Sequence, residues 1–115
     1  MSVFNSVSSV ALNSALDGLA LRQRTIAENV ANINTPGYQA KRVQFETALA
    51  HAVEQGSGVA TSTVARSLEP TRQDGNNVNL DTETTLNIDT NLRYQLATQA
   101  LDQTFSTVRV AMRTS

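Results

Sequence analysis

Apolar residues in the first third of the chain recur at intervals of four and three positions. The members of this N-terminal stripe are Leu12, Leu16, Leu19, Ile26, Val30 and Ile33. Gln23 interrupts the stripe with a polar side chain. Such spacing is typical of a helix whose apolar side packs along another helix. A weaker stripe at Val3, Val7 and Val10 extends the pattern, so one long helix is predicted over residues 3–34.

The last third of the chain carries two neighbouring apolar stripes on one predicted helix over residues 80–113. The first C-terminal stripe is Tyr94, Leu101, Phe105, Val108 and Met112, and the second C-terminal stripe is Ile88, Leu92, Leu96 and Ala100. Asn79 or Asp81 can cap the start of this helix, and Arg113 places positive charge in its last turn. Two apolar faces on one helix predict more than one neighbour.

An abrupt stop to the N-terminal helix is predicted at Thr35-Pro36-Gly37-Tyr38. Proline fixes its own φ and restricts the residue before it to extended geometry. Glycine accepts the positive φ that a type II turn requires at its third position. We therefore expect a local reversal of the chain here, with Tyr38 packed against a helix.

The region between the two long helices is mixed. Helical spacing of its apolar residues predicts a short helix from Phe45 to near Gly56. Residues 59–64 are β-branched and polar, which is compatible with either a short strand or an extended loop. Proline, glycine and asparagine mark turns within residues 69–77.

These elements predict a mainly α fold in one domain, residues 1–115. Residues 1–34 form the N-terminal helix, residues 35–79 a turn, short helix and loop, and residues 80–115 the C-terminal helix. The long helices are expected to form a coiled-coil-like pair, with a short helix and an irregular or short β segment between them. Burial of one seam roughly balances the entropy lost on ordering it. The two helices either become fixed only among neighbouring chains or form the core of a monomeric bundle, and the pattern taken alone favours the bundle.

Composition removes several classes of function. The net charge is −1 and aromatic residues make up 4% of the chain, so no nucleic-acid surface is expected. The absence of cysteine excludes disulfides, thiolate catalysis and soft metal sites. No apolar run approaches membrane-spanning length, and no basic residue precedes Arg22. We therefore expect no direct membrane insertion and no cleaved signal peptide, so that any export would use another route.

Candidate chemistry is sparse. His51 is the sole histidine, and no acid or nucleophile accompanies it in a recognisable pattern, so it is expected at the surface. The acids at Asp74, Asp81, Glu83 and Asp89 lack the order of a calcium loop and are explained by capping and solvation. No catalytic residue, metal ligand or cofactor site is predicted.

Arginine makes up eight of the nine basic residues, with Lys41 as the exception. Arg22 and Arg93 lie beside the apolar stripes. Solvation on a helix face is the default interpretation of each, and pairing with a carboxylate of a neighbouring subunit is the alternative.

The segment around the predicted turn resembles the signature of the bacterial flagellar rod, hook and hook-associated axial proteins. The matching residues are Asn29, Ala31, Asn32, Thr35, Pro36, Gly37 and Tyr38. Residues 76–83 and 91–95 resemble the C-terminal pattern of one of the two short proximal rod proteins in that family. The Tyr-Pro-Asn-Val turn typical of the other is missing, and the chain is too short for the inserted β-rich domain of the hook proteins.

The resemblance implies a structural subunit that assembles by helix packing into the proximal part of the torque-transmitting rod in the periplasm. Its implied partners are further copies of itself, other flagellar rod proteins, the adaptor at the membrane ring and the flagellar type III export apparatus. The N-terminal stripe and the first C-terminal stripe would then be the assembly interface. A monomeric or oligomeric helical adaptor or export chaperone is the alternative, and an enzyme is the third class of hypothesis.

Overall fold

The computed structural model describes residues 6–114. Its elements in chain order are α1 Val7–Ala31, β1 Lys41–Gln44, α2 Glu46–Glu54, β2 Thr63–Arg66 and α3 Leu80–Thr114. The predicted mainly α fold is confirmed, with two long terminal helices that enclose a short helix and a small β segment. Val3, the first residue of the predicted N-terminal helix, lies outside the described residues.

Helix α1 begins and ends at side-chain caps. The hydroxyl of Ser6 accepts a hydrogen bond from the amide of Ser9 at 3.1 Å, which satisfies one of the exposed amides of the first turn. The regular helix ends at Ala31, earlier than the predicted limit at residue 34. The reason lies in Asn32, whose backbone departs from helical geometry and whose carbonyl accepts a hydrogen bond from Asn76 at 2.8 Å.

The predicted reversal after α1 is confirmed. The amide of Tyr38 donates to the carbonyl of Thr35 at 3.2 Å, and Gly37 has φ of 76°. The amide of Gly37 donates to the carbonyl of Asp74 at 2.8 Å, so the turn also lies against the loop that precedes α3. The reversal therefore brings the chain back along α1.

A two-stranded antiparallel sheet follows the turn. β1 pairs with β2 so that Lys41 lies opposite Arg66 and Val43 opposite Val64. No strand was predicted at β1. Of the two alternatives for residues 59–64, a strand is confirmed only from Thr63 onward, and it runs past the predicted segment to Arg66.

Helix α2 confirms the predicted short helix, and the loop after it packs against α1. Gly56 and Gly58 both have positive φ, at 84° and 70°. A Cβ on Gly58 would lie 2.8 Å from the carbonyl oxygen of Val7, so glycine permits the close approach. The hydroxyl of Ser14 donates to the carbonyl of Gly58 at 2.9 Å and fixes this contact.

The apolar core lies where β1 and α2 meet the middle of α1. Leu19, Val43 and Phe45 are buried together there. A Cβ on Gly18 would lie 2.6 Å from the Phe45 ring, so the ring packs directly on the helix backbone. The guanidinium carbon of Arg22 lies 4.8 Å from the centre of the same ring and covers it.

Helices α1 and α3 run antiparallel. Gln23 donates to Asn91 at 2.8 Å, whereas the later α1 residue Asn29 contacts the earlier α3 residue Glu83. Gln23, the polar residue that interrupts the N-terminal stripe, therefore hydrogen-bonds the other helix. The described molecule measures 66 × 25 × 15 Å, an elongated shape set by this pair.

Candidate functional site

Four buried polar side chains join the segments at one end of the helix pair, and we call them the polar clamp. Its members are Asn29, Asn76, Asn77 and Glu83, none of them more than 2% exposed. Buried polar groups are tolerated only when they are hydrogen-bonded. The hydrogen bonds of each member therefore show what the clamp holds together.

Asn29 takes the place of a neighbouring strand for β1. Its side-chain Nδ2 donates to the carbonyl of Lys41 at 2.9 Å, and its Oδ1 accepts from the amide of Lys41 at 3.0 Å. The same Oδ1 accepts from the hydroxyl of Tyr38 at 3.2 Å. One amide side chain of α1 thus fixes the turn and the first strand in register.

Asn76 closes the end of α1 from the opposite loop. Its Nδ2 donates to the carbonyls of Asn32 and Thr35, each at 2.8 Å. Its Oδ1 accepts from the amide of Val78 at 2.7 Å. Carbonyls at a helix end have no partner within the helix, so Asn76 serves as a cap supplied from a distant part of the chain.

Asn77 extends the small sheet beyond its strands. Its Oδ1 accepts from the amide of Ala40 at 2.6 Å, and its Nδ2 donates to the carbonyls of Ser67 and Glu69 at 3.2 Å. The sequence pattern predicts only a turn at Asn77. Its burial and its hydrogen bonds with three backbone groups show a structural role that turn propensity does not reveal.

The interpretation of the acids as capping or solvated groups is wrong for Glu83. Its carboxylate is fully buried, accepts from Asn29 at 3.1 and 3.2 Å, and forms an ion pair with Arg42 at 2.5 Å. A buried carboxylate requires such partners because removal from water is costly. Asn79 caps α3 instead, since its Oδ1 accepts from the amide of Asp81 at 3.0 Å.

The hydroxyl of Tyr38 is protected from ionisation. Burial raises the pKa of this hydroxyl above its usual value of 10.0, and the nearby carboxylate of Glu28 raises it further. The protonated hydroxyl can donate to Asn29, as the structure shows. Tyr38 therefore packs on α1, as predicted.

Five of the seven residues of the resemblance form hydrogen bonds at or beside the polar clamp. Asn29 and Tyr38 bond each other through their side chains, and the amide of Gly37 donates to the neighbouring Asp74. The carbonyls of Asn32 and Thr35 accept from Asn76, and the Thr35 hydroxyl donates to the Asn32 side chain at 3.1 Å. The motif therefore holds the chain's own end together.

The predicted interface residues fall into three groups by exposure. Leu19 and Ile26 are buried within the chain. Half-buried between the helices or beside them are Leu12, Leu16, Ile33, Tyr94, Leu101 and Val108. Exposed are Val30 at 39%, Phe105 at 37% and Met112 at 72%. Much of the two stripes thus serves contacts inside the molecule.

The second C-terminal stripe faces solvent. Ile88 is 65% exposed, Leu92 55% and Leu96 57%. Their spacing of four residues places them on one side of α3. Thr90 is fully buried two residues from Ile88, so the buried side of α3 lies opposite this stripe.

Arg22 and Arg93 both have partners in their own chain. Arg22 forms an ion pair with Glu46 and donates to the carbonyl of Val43 at 2.7 Å. Arg93 pairs with Asp89 at 2.9 Å, one turn earlier on α3. Arg22 is explained by these contacts within its own chain, whereas Arg93 lies exposed on a solvated face of α3, which is the default interpretation.

His51 is exposed on α2, as predicted. Within residues 6–114, no group of three or more histidine and acidic side chains lies close enough together to hold a metal ion. No helix in the same range is long and apolar enough to cross a membrane.

Comparison with known proteins identifies relatives that match most of the chain. A family described as "Flagella basal body rod protein" matches residues 11–39, which cover most of α1 and the turn after it. The chain is 34% identical to flagellar basal body rod protein FlgB of Escherichia coli (strain K12), over 76% of this chain and 79% of that protein.

More distant relatives carry the same name. FlgB of Borrelia hermsii is 30% identical over 85% of this chain and 90% of its own length. FlgB of Bacillus subtilis (strain 168) is 28% identical over 88% of this chain and 89% of its own length. The similarity therefore extends over most of the chain, well beyond the residues 11–39 that the family model matches.

Proposed function

The chain belongs to the FlgB family of flagellar basal body rod proteins and is a structural subunit of that rod, and from this premise we propose how it assembles. Residues 1–115 act as one rod-type domain. Within this domain, the α1–α3 pair is the unit that packs against neighbouring subunits. Subunits join through apolar helix surfaces that remain exposed after the pair has formed. The part of the rod that we assign to the chain is the proximal part of the torque-transmitting shaft, as its similarity to FlgB proteins implies.

The exposed second C-terminal stripe is the observation that carries this proposal. Ile88, Leu92 and Leu96 present branched aliphatic side chains to solvent along one side of α3. Scattered apolar residues are common on protein surfaces. A regular row of them along one side of a helix is instead typical of a surface that packs against another helix. A neighbouring helix that covers the row would remove this apolar surface from water.

The exposed members of the predicted interface extend this surface. Val30, Phe105 and Met112 lie toward the two ends of the helix pair and contribute to contacts with neighbouring subunits. Leu19 and Ile26 act indirectly, since they hold α1 in place inside each subunit. The assembly interface is thus the outer side of the helix pair.

We further propose the set of partners that the family role implies. They are other copies of this chain, other flagellar rod proteins and the adaptor at the membrane ring. The chain reaches them through the flagellar export apparatus. It has no nucleic-acid partner, no direct membrane insertion and no catalytic activity. No observation on the described residues favours a helical adaptor or export chaperone.

Substitution of Leu92 tests the proposal. Leu92→Asp places a charge in the exposed stripe, while Leu92→Met keeps the position apolar with similar helix propensity. Each variant is expressed in cells that lack the native protein. We expect Leu92→Asp to abolish rod assembly and motility, and Leu92→Met to preserve both.

Circular dichroism of the purified variants provides the control for folding. Because Leu92 is 55% exposed, Leu92→Asp is expected to retain the helix content of the unsubstituted protein when both are measured in solutions too dilute for association. Normal rods and motility with Leu92→Asp would contradict the proposed interface.

A further inference from the structure

Leu68 is held out in solvent by a loop that is fixed on both sides. Its side chain is 99% exposed, whereas Ser67 is buried. The side chain of Asn77 donates to the carbonyls of Ser67 and Glu69, each at 3.2 Å. The amide of Ser67 also donates to the carbonyl of Ala40 at 2.8 Å. One buried amide therefore holds the backbone on either side of the exposed leucine.

The next residue anchors the same loop to α3. The carboxylate of Glu69 accepts from the hydroxyl of Thr82 at 2.9 Å and from the side chain of Asn79 at 3.1 Å. Packing within the chain does not explain Leu68, since almost its whole surface is in water. A side chain presented on a fixed backbone loses little conformational freedom on docking, which favours its use in binding.

A groove of suitable chemistry lies between α1 and α3. Its volume is about 490 Å³, and its apolar lining is Ile26, Ala27, Val30, Ala31 and Leu80. Val30 is 39% and Leu80 52% exposed, so the lining is open to solvent. The groove presents aliphatic walls to which a branched aliphatic side chain is complementary.

Leu68 and the groove are different surfaces of the chain. Leu68 is not among the residues that line the groove, and Glu69, which follows it, contacts Thr82. A projection at one place that enters a recess at another makes a heterologous contact, which repeats into a ring or a helical filament.

A positive charge lies near Leu68, and a negative charge lies near the groove. Arg66 is exposed, and Arg66 and Leu68 line the same depression of the surface, so the two side chains lie near each other. Asp81 is exposed and follows Leu80 at the groove. Among the described residues, neither Arg66 nor Asp81 forms an ion pair within the chain.

We infer that Leu68 of one subunit inserts into the α1–α3 groove of a second copy, with Arg66 of the first facing Asp81 of the second. The inference rests on the proposed rod function and specifies one of its subunit contacts. It is separate from the stripe on α3 that contains Leu92, so the two surfaces can be tested independently.

Cross-linking tests the contact directly, because the chain contains no cysteine. Leu68→Cys and Ala27→Cys are made in separate full-length chains, mixed at high concentration and oxidised. A disulfide forms only when the two Cα atoms approach within about 7 Å. We expect a dimer that contains one chain of each kind. His51→Cys, exposed on α2, replaces Ala27→Cys in the control mixture.

The outcomes separate the contact from its alternatives. Cross-linking no stronger than in the His51→Cys mixture would overturn the inference, and so would a preferred disulfide between two Leu68→Cys chains. In isolated basal bodies, a disulfide from Leu68→Cys to a protein of another kind would identify a different partner and overturn the second-copy assignment. Incorporation of the cysteine variants without the expected cross-link would leave the rod function standing and remove only this contact.

A binding measurement gives the expected magnitude. Leu68→Ser is expected to weaken self-association of the full chain by about tenfold or more, because burial of a leucine side chain is worth at least that factor. Arg66→Asp is expected to weaken it as well, and addition of Asp81→Arg to restore it. Unchanged association of Leu68→Ser in sedimentation experiments would overturn the inference.

Discussion

At the scale of single residues, the molecule relies on amide side chains that replace backbone partners. Asn29, Asn76 and Asn77 hydrogen-bond backbone groups at the end of α1, beside β1 and in the loop before α3. Each bond joins segments that are distant in sequence. An amide can donate and accept at once, which a carboxylate cannot do.

Asn29→Asp tests this dependence on an amide. The substitution removes the donor to Lys41 and places a second carboxylate beside buried Glu83. We expect a loss of at least about 3 kcal/mol in the free energy of unfolding, since an uncompensated charge would be buried. Urea denaturation measures the loss. Asn34→Asp, at an exposed position, should remain close to the unsubstituted protein, and equal stability of both variants would contradict the role of Asn29.

Tyr38→Phe tests the pH dependence of the same region. Burial raises the pKa of the hydroxyl in the folded state. Its contribution to stability is therefore complete below the unfolded pKa of 10.0 and is lost as the pH rises through the folded pKa. We expect the unsubstituted protein to lose more stability than Tyr38→Phe between about pH 9 and 11. Tyr94 is common to both proteins, and parallel stability curves would contradict the shift.

At the scale of elements, close packing of Phe45 on Gly18 sets how β1 and α2 sit on α1. Gly18 lies in a helix interior, where alanine is normally favoured by about 1 kcal/mol. A Cβ at this position would lie 2.6 Å from the Phe45 ring, well inside contact distance. The glycine is thus required by the neighbouring element and runs against helix propensity.

Gly18→Ala is expected to lower the free energy of unfolding by about 1 to 3 kcal/mol, because overpacking outweighs the gain in propensity. The same substitution in a Phe45→Leu background should cost less, since the smaller side chain can move away. A double-mutant cycle from urea denaturation measures this coupling. A stabilising Gly18→Ala would show that the ring does not pack there.

The long helices could be predicted from sequence because their signal is local and repeated. Leu12 to Ile33 and Ile88 to Met112 repeat an apolar residue in almost every turn. β1 was missed because a strand of four residues carries little pattern, although Val43 and Phe45 are both buried at alternate positions. Its strand partner comes only after α2 in the chain.

The polar clamp could not be predicted for a different reason. Asn77 binds Ala40 across 37 positions of the chain, and Glu83 binds Arg42 across 41. Local propensity correctly places asparagine in turns and glutamate near a helix start. Only the tertiary fold reveals that these side chains are buried and what they bind.

At the scale of the whole molecule, the two ends of the helix pair differ in how they are held. The polar clamp joins the end of α1 to the start of α3 through many hydrogen bonds. Toward the other end, α3 continues through exposed apolar residues to Met112. A thin molecule of 66 × 25 × 15 Å has little interior in which to bury them.

We therefore expect the order of this second end to depend on association. Helix content measured by circular dichroism should rise with protein concentration, and the melting temperature should rise with it. Hydrogen exchange in dilute solution should show protection at Ala40 and Val78 but fast exchange beyond residue 101. Full protection of α3 and a melting temperature independent of concentration would contradict this expectation.

The placement of the tyrosines has a practical consequence. The chain has two tyrosines and no tryptophan. Tyr38 lies at the polar clamp, and Tyr94 of α3 packs against the apolar core formed by Leu19, Val43 and Phe45. Intrinsic ultraviolet emission therefore arises from one fluorophore in each region. Replacement of Tyr94 by phenylalanine would leave Tyr38 as a fluorescent probe of the polar clamp. Replacement of Tyr38 would leave Tyr94 as a probe of the contact between the long helices, and neither variant needs an added label.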